Sequence, residues 1–101
     1  MIERLILFGA SGDLTGRFLL PALAELFDAD ELSDDFRVVG AAREDWNDAR
    51  FRQHAAERLE KHAAADVSAA SRERLLDRLR YRKIDFREPE TVYILYRHIS
   101  V

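Results

Sequence analysis

The stretch Gly9-Ala10-Ser11-Gly12-Asp13-Leu14-Thr15-Gly16-Arg17 joins two segments of different hydrophobic period. Before it, Arg4-Leu5-Ile6-Leu7-Phe8 is a short apolar run, the pattern of a strand covered on both faces in a parallel sheet. After it, Leu14, Phe18, Ala22 and Leu26 recur every four residues, with Leu19, Leu23 and Phe27 beside them. That spacing predicts a helix from Asp13 with the stripe turned to the core. A glycine-rich turn between a buried strand and a helix is where a dinucleotide-binding loop lies.

Each residue type has a physical use there. Gly9 allows a tight turn out of the strand. Gly12 lets the backbone approach a phosphate closely. The opening turn of a helix offers amides with no internal partner, and its dipole adds partial positive charge. Ser11 and Thr15 can donate hydroxyls, and Arg17, one turn in, can add charge. The spacing Gly9-x-x-Gly12 is not the common Gly-x-Gly-x-x-Gly. The loop alone therefore leaves two readings open, a phosphate cradle or a turn whose glycines serve packing only.

Further along, Pro21 removes one backbone hydrogen bond from the helix, at ~3 kcal/mol if unrelieved, and predicts a bend. Asp28 to Asp35 reads as an acidic surface loop, and Phe36 to Ala42 as a second strand. That strand ends in Arg43, Glu44 and Asp45. At this position an acid bonds the ribose 2′-OH of NAD, whereas an Arg accommodates the 2′-phosphate of NADP through its planar, bidentate fork. Arg43 fits the second role, or else a surface salt bridge to Glu44 or Asp45. Glu44 either points away or holds a ribose hydroxyl.

A second helix opens at Asn47 or Asp48, with Phe51, Ala55, Leu59 and His62 inward, and the Ala-rich stretch 63–70 is expected to fray. Ser71 is the expected cap of a third helix with Leu75, Leu76 and Leu79 inward, followed by a strand from Tyr81 to Phe86. Pro89 suits the first position of a last helix carrying Val92, Tyr93, Leu95, Tyr96 and Ile99. Its uncapped apolar end has the look of a chain cut short. The alternation predicts an α/β fold, a Rossmann-like parallel sheet with flanking helices and right-handed crossovers. With about three of the six strands of a full dinucleotide fold, it is the first half of such a domain.

Composition sets the outer limits. The 101 residues are 48% apolar and 35% charged, one small globular domain. No apolar run approaches the ~20 residues of a membrane span, and the opening residues do not resemble a signal peptide. The absence of cysteine removes disulfides and thiolate metal sites. The expected compartment is the cytoplasm, with neither a membrane nor a nucleic-acid partner and no metal site. Net charge is −3, with eleven acids against four bases up to Asp48 and eight against twelve beyond it. The basic cluster Arg72, Arg74, Arg78, Arg80, Arg82, Lys83 is interrupted by Glu73 and Asp77 and lacks an aromatic ladder, so it reads as a solvated helix face. His54, His62 and His98 read as surface or core-edge residues away from the loop.

Residues 4–101 resemble the N-terminal coenzyme domain of the glucose-6-phosphate dehydrogenase family. The resemblance rests on Gly9-Ala10-Ser11-Gly12-Asp13-Leu14-Thr15, Arg17, Leu19 and Pro21-Ala22-Leu23, then on Val39-Gly40-Ala41-Ala42-Arg43, Phe51-Arg52, Asp85-Phe86, Pro89-Glu90 and Tyr93. It implies an oxidoreductase that oxidises glucose 6-phosphate at C1 with NADP, giving 6-phosphogluconolactone in the pentose phosphate pathway. The implied coenzyme residues are Gly9, Ala10, Ser11, Gly12, Asp13, Leu14, Thr15, Gly16, Arg17 and Arg43, around the adenosine half of NADP, with Asp13 capping the helix or bracing the loop. Gly16 and Phe18 stand where the family carries basic residues. The family's Asp-His-Tyr-Leu-Gly-Lys-Glu motif and catalytic His belong downstream, so no catalytic residue is assigned here. The chain is then the N-terminal part of an NAD(P)-binding domain without its C-terminal substrate domain, and it is not expected to catalyse alone. Glucose 6-phosphate would bind only in the full-length enzyme, expected to be a homo-oligomer. Two alternatives stand beside this. One is a short-chain reductase fragment, opposed by Asp13-Leu14, Pro21 and the lack of a Tyr-x-x-x-Lys pair; the other is a stand-alone nucleotide-binding or interaction module.

Overall fold

In the computed structural model, which describes residues 4–90, three strands run parallel in the order β1 (Arg4–Phe8), β2 (Arg37–Ala42), β3 (Leu79–Lys83). The register aligns Leu5 with Val38 and Leu79, and Leu7 with Gly40 and Tyr81. Side chains alternate across a sheet, so these residues share the face on which the main core forms, with Leu20, Ala24, Phe27, Phe51, Leu59 and Leu75 from the helices. The opposite face carries Ile6, Val39, Ala41 and Ile84, a small apolar cluster to which no described helix residue contributes.

The first helical stretch departs from the expected pattern. Leu14 is 69% and Phe18 59% exposed, and Ala22 and Leu26 are exposed too, whereas Leu20, Leu23, Ala24 and Phe27 are buried. The segment is apolar nearly all round, so its periodicity admits two inward faces. A wide turn decides between them. Thr15–Leu19 form a π-helical turn, closed by Leu20 N–H donating to Thr15 C=O, before the regular helix α1 (Leu20–Asp28). The extra residue rotates everything after it. It also sits just ahead of Pro21, which has no N–H to return to Arg17, so the proline falls in the first turn of α1 where none is needed. The expected irregularity thus takes the form of a π turn.

Helix α2 (Asp48–His62) is capped by Asn47, whose Oδ1 accepts from Arg50 N–H at 2.8 Å. Asp48 instead accepts from Tyr81 N–H at 2.7 Å, tying the helix to β3. Phe51, Ala55 and Leu59 face the core as expected, and His62 is half-buried. Residues 63–68 form a connecting loop that buries Val67. Helix α3 (Ala69–Arg78) is capped by Ser68, not Ser71, because Ser68 Oγ accepts from Ser71 N–H at 3.0 Å. Ser71 is buried and donates to Asp28 Oδ1 at 2.9 Å. Leu79 does not extend that helix. It opens β3 two residues earlier than expected, because Leu79 and Tyr81 both fill the core face while Arg80 and Arg82 alternate outward. Pro89 and Glu90 are helical, and Val92 to Ile99 lie outside the described residues.

Candidate functional site

Parallel strands deliver all three chain exits to one edge of the sheet, and the glycine loop sits there. Gly9 adopts φ +68°, the left-handed region that a Cβ disfavours, although an added Cβ would meet nothing within 4 Å. Its constraint is conformational. Gly9 and Ala10 N–H both donate to Ala41 C=O, at 2.9 and 3.3 Å, fastening the loop to the end of β2. Gly9 C=O accepts from Gly12 N–H at 2.8 Å and from Thr15 Oγ1 at 3.2 Å. A side chain at Gly12 would lie 3.0 Å from that carbonyl. The first helical bond runs from Gly16 N–H to Gly12 C=O at 3.2 Å. The amides of Asp13, Leu14 and Thr15 precede it, where a helix end carries partial positive charge.

Most of the loop's side chains are committed to the protein itself. Ala10 is wholly buried, and Thr15, 3% exposed, gives its hydroxyl to Gly9 rather than outward. Gly16 is buried against Arg58, whose Nε would lie 2.5 Å from an added Cβ. Asp13 pairs with Arg17 and with Arg58, each at 3.2 Å, bracing the first helical turn against α2. Both pairs are solvent-facing at Asp13, so each contributes roughly 0–1 kcal/mol. Leu14 points out. Ser11 Oγ donates to Glu44 Oε2 at 2.6 Å.

Of the ten residues singled out from sequence, Gly9, Ser11 and Arg43 line one cavity of about 280 Å³ between the loop and the tip of β2. Glu44, Phe8, Ile84 and Phe86 complete its walls with the end of β2. Sequence reasoning passed over the two phenylalanines. Their rings lie 6.1 Å apart and both are more than half exposed. An aromatic side chain next to Gly9, at a strand end, was the available signal. Arg43 is exposed, and among the described residues its guanidinium forms no hydrogen bond or ion pair. It is near enough to Glu44 and Asp85 to help keep both ionised. Asp85 is held well below the usual carboxylate range chiefly by Arg87, 2.8 Å away.

Glu44 is fixed from three sides. Its carbonyl accepts from Tyr81 Oη at 2.7 Å and from Trp46 N–H at 2.9 Å, and its carboxylate holds Ser11. The Ser11 bond draws its pKa below the ordinary value. Burial, with Glu44 and Asp45 nearby, pushes the Tyr81 phenol up to about 12, so it remains a donor.

Other concavities lie elsewhere. A cleft of about 390 Å³ near the opposite ends of the strands is lined by Arg4, Arg37, Arg80, Asp34 and Asp77, and a shallow one of about 410 Å³ separates α2 from α3. Neither reaches the loop. His54 packs on Trp46, ring centroids 5.0 Å apart. His62 feels the charges of Arg17 and Asp13, closer to the loop than its sequence position suggested; His98 lies outside the described residues. No group of three or more metal-ligating side chains occurs among the described residues. No described helix is long and apolar enough to cross a membrane.

Residues 6–101 match the family described as "Glucose-6-phosphate dehydrogenase, NAD binding domain". The chain is 48% identical over 61 residues to glucose-6-phosphate 1-dehydrogenase of Aggregatibacter actinomycetemcomitans, covering 60% of this chain and 12% of that protein. It is 37% identical over 90 residues to the enzyme of that name from Zymomonas mobilis, covering 87% and 18%. The crystal structure of glucose-6-phosphate 1-dehydrogenase from Mycobacterium avium superposes with a TM-score of 0.85 at 25% identity, over 99% of this chain and 22% of that one. The chain therefore spans less than a quarter of the length of these relatives.

Proposed function

The chain belongs to the glucose-6-phosphate dehydrogenase family, in its NAD-binding domain, and from that premise we propose that it is the N-terminal part of an NADP-dependent glucose-6-phosphate 1-dehydrogenase. The observation that carries this is the meeting of Arg43, free of any ion pair among the described residues, with the Gly9 loop in one cavity. A helix end with unpartnered amides suits a pyrophosphate, and a planar guanidinium suits a 2′-phosphate. Phe8 and Phe86 offer a flat apolar wall for a base. The binding set is Gly9 to Arg17 with Arg43, in two parts. Ser11, Arg43 and the loop amides touch the coenzyme. Ala10, Asp13, Thr15, Gly16 and Arg17 hold the loop in shape.

NADP held by the Gly9 loop and Arg43 would supply a hydride acceptor for C1 of glucose 6-phosphate, and a general base would take the C1 hydroxyl proton as the lactone forms. No residue of this chain is assigned as that base. His54 and His62 sit on α2 and are packed or surrounded by charge. Catalysis, the sugar-phosphate site and homo-oligomer formation are assigned to the full-length enzyme. The reading carries a cytoplasmic enzyme without a nucleic-acid partner, supported within these 101 residues by a net charge of −3.

The test is turnover. The full-length protein should form NADPH from glucose 6-phosphate and NADP, and residues 1–101 alone should not. Gly12→Val should remove coenzyme binding, because the side chain would occupy the phosphate approach. Retention of NADP affinity in that variant would make the loop a packing turn.

A further inference from the structure

Asp13 is an acid set among the amides that a pyrophosphate would need. The helical run from Asp13 to Asp28 is unbroken, and the amides of Asp13, Leu14 and Thr15 lie at its positive end. A carboxylate in a first helical turn is drawn to those donors, which is why acids are favoured there. Left to itself, Asp13 would be an internal rival of any phosphate at the loop. It does not take that place. Among the described residues its carboxylate accepts from no backbone amide; Oδ2 meets Arg17 Nε and Oδ1 meets Arg58 Nη2, each at 3.2 Å. The two guanidiniums are held differently. Arg17 is exposed, four residues along the same helix, and a solvent-facing pair of that kind holds weakly. Arg58 is half-buried on α2, and its side chain runs across Gly16: a Cβ there would lie 2.5 Å from Nε, 3.0 Å from Cγ and 3.3 Å from Cδ. A side chain at position 16 would close this path. Gly16 thus admits Arg58 to the loop.

We propose, resting on the coenzyme reading above, that Arg58 is a positioning residue for the pyrophosphate: it holds the Asp13 carboxylate on the α2 side and so keeps the first amides of the helix open to an outside anion. Two guanidiniums on one carboxylate also leave one positive charge in excess beside the loop, which adds to the attraction for the coenzyme's phosphates. Asp13 is then a competitor kept off the site, and Arg58 is what keeps it off.

The test breaks one ion pair from its two ends. In calorimetric titrations of the full-length protein, Arg58→Met, Asp13→Asn and the double variant are compared with the parent. The ligands are NADP and 2′-AMP, which keeps the 2′-phosphate but has no pyrophosphate. Arg58→Met keeps the stem over Gly16 and frees the carboxylate. It should weaken NADP about three- to tenfold, the range for a carboxylate at a helix N-terminus, and move 2′-AMP by less than about twofold. Asp13→Asn removes the rival and should bind NADP as tightly as the parent or more tightly. The double variant should recover what Arg58→Met loses. Asp13 is exposed, so Asp13→Asn decides the matter even where the urea midpoint shows Arg58→Met to be poorly folded. Loss of NADP affinity in Asp13→Asn overturns the role of Arg58 and leaves the pair a simple brace. So does an Arg58→Met affinity for NADP that is unmoved, or a loss shared equally by 2′-AMP. If the parent binds neither nucleotide, the coenzyme reading falls and the role of Arg58 with it; binding of both by the parent keeps that reading whatever the variants do.

Discussion

The glycine loop and the tip of β2 face each other across one cavity, yet they are made differently. In the loop, the side chains of Ser11, Asp13, Thr15 and Arg17 are all bonded within the protein, Ala10 is in the core, and Gly16 fits under Arg58. At the strand tip, Arg43 is exposed and, among the described residues, uncommitted. One side supplies shape and backbone donors; the other supplies a charge that is free to choose. Substitutions of the loop's inward-committed side chains and of the residues beneath them should therefore act mainly on folding, and those at the tip mainly on which ligand binds.

The largest effect should come from the floor under the loop. Phe51 is fully buried, and its ring lies where a Cβ on Gly40 would come within 2.6 Å, beside Ala10. That close approach explains a glycine inside a central strand. Phe51→Ala should lower unfolding free energy by ~3–5 kcal/mol, measured by urea denaturation of the full-length protein. A loss under ~1 kcal/mol would mean that the loop does not rest on this ring.

At the tip the expectation reverses. Arg43→Ala should cost 2′,5′-ADP ~1.5–3 kcal/mol of binding, the range for a lost charged hydrogen-bond partner, and should leave 5′-AMP and the urea midpoint nearly unchanged. Equal losses for the two nucleotides would break the contrast and take Arg43 away from the 2′-phosphate.

A smaller effect returns to the loop. Thr15→Val keeps the buried shape and deletes the hydroxyl that reaches Gly9 C=O, an acceptor still satisfied by Gly12 N–H. The stability loss should be ~0.5–1.5 kcal/mol, with NADP affinity hardly moved. A large loss of affinity at unchanged stability would show that Thr15 turns toward the phosphate when ligand binds.

These contrasts also mark what the sequence could tell. Strand β1, the loop and the parallel order were readable because an apolar run, a glycine turn and a change of period follow one another within twenty-five residues. The inward face of the first helix was not. From Leu14 to Phe27 apolar residues occupy both sides, and only the π turn ahead of Pro21 selects Leu20, Ala24 and Phe27 over Phe18, Ala22 and Leu26. The cap of α3 was ambiguous for a related reason, since Ser68 and Ser71 are three residues apart and bond to each other. In the site, residue types were legible but commitments were not. Thr15 and Ser11 both read as hydroxyl donors, and it takes the fold to show that one serves Gly9 and the other Glu44.

The weakest of the effects lies behind the strand tip, on α2, and depends on pH. His54 and His62 each have a ring nitrogen, Nε2, buried without a partner. Burial, and for both the charge of Arg58, draws their pKa below 6.5. A depressed histidine pKa means that the unfolded chain binds the proton more tightly than the folded one. Stability is then at its full value above about 6.5, falls as pH drops through the window between that value and the folded pKa, and levels off below it. Asp28, Glu44 and Asp85, also lowered from their ordinary values, add a loss in the same direction that sets in as pH falls through the ordinary carboxylate range. Acidification from about pH 8 to about pH 5 should therefore lower the urea midpoint chiefly through the histidines. His54→Gln combined with His62→Gln should flatten that slope and leave the carboxylate phase in place. An unchanged slope in the double variant would assign the loss to other groups.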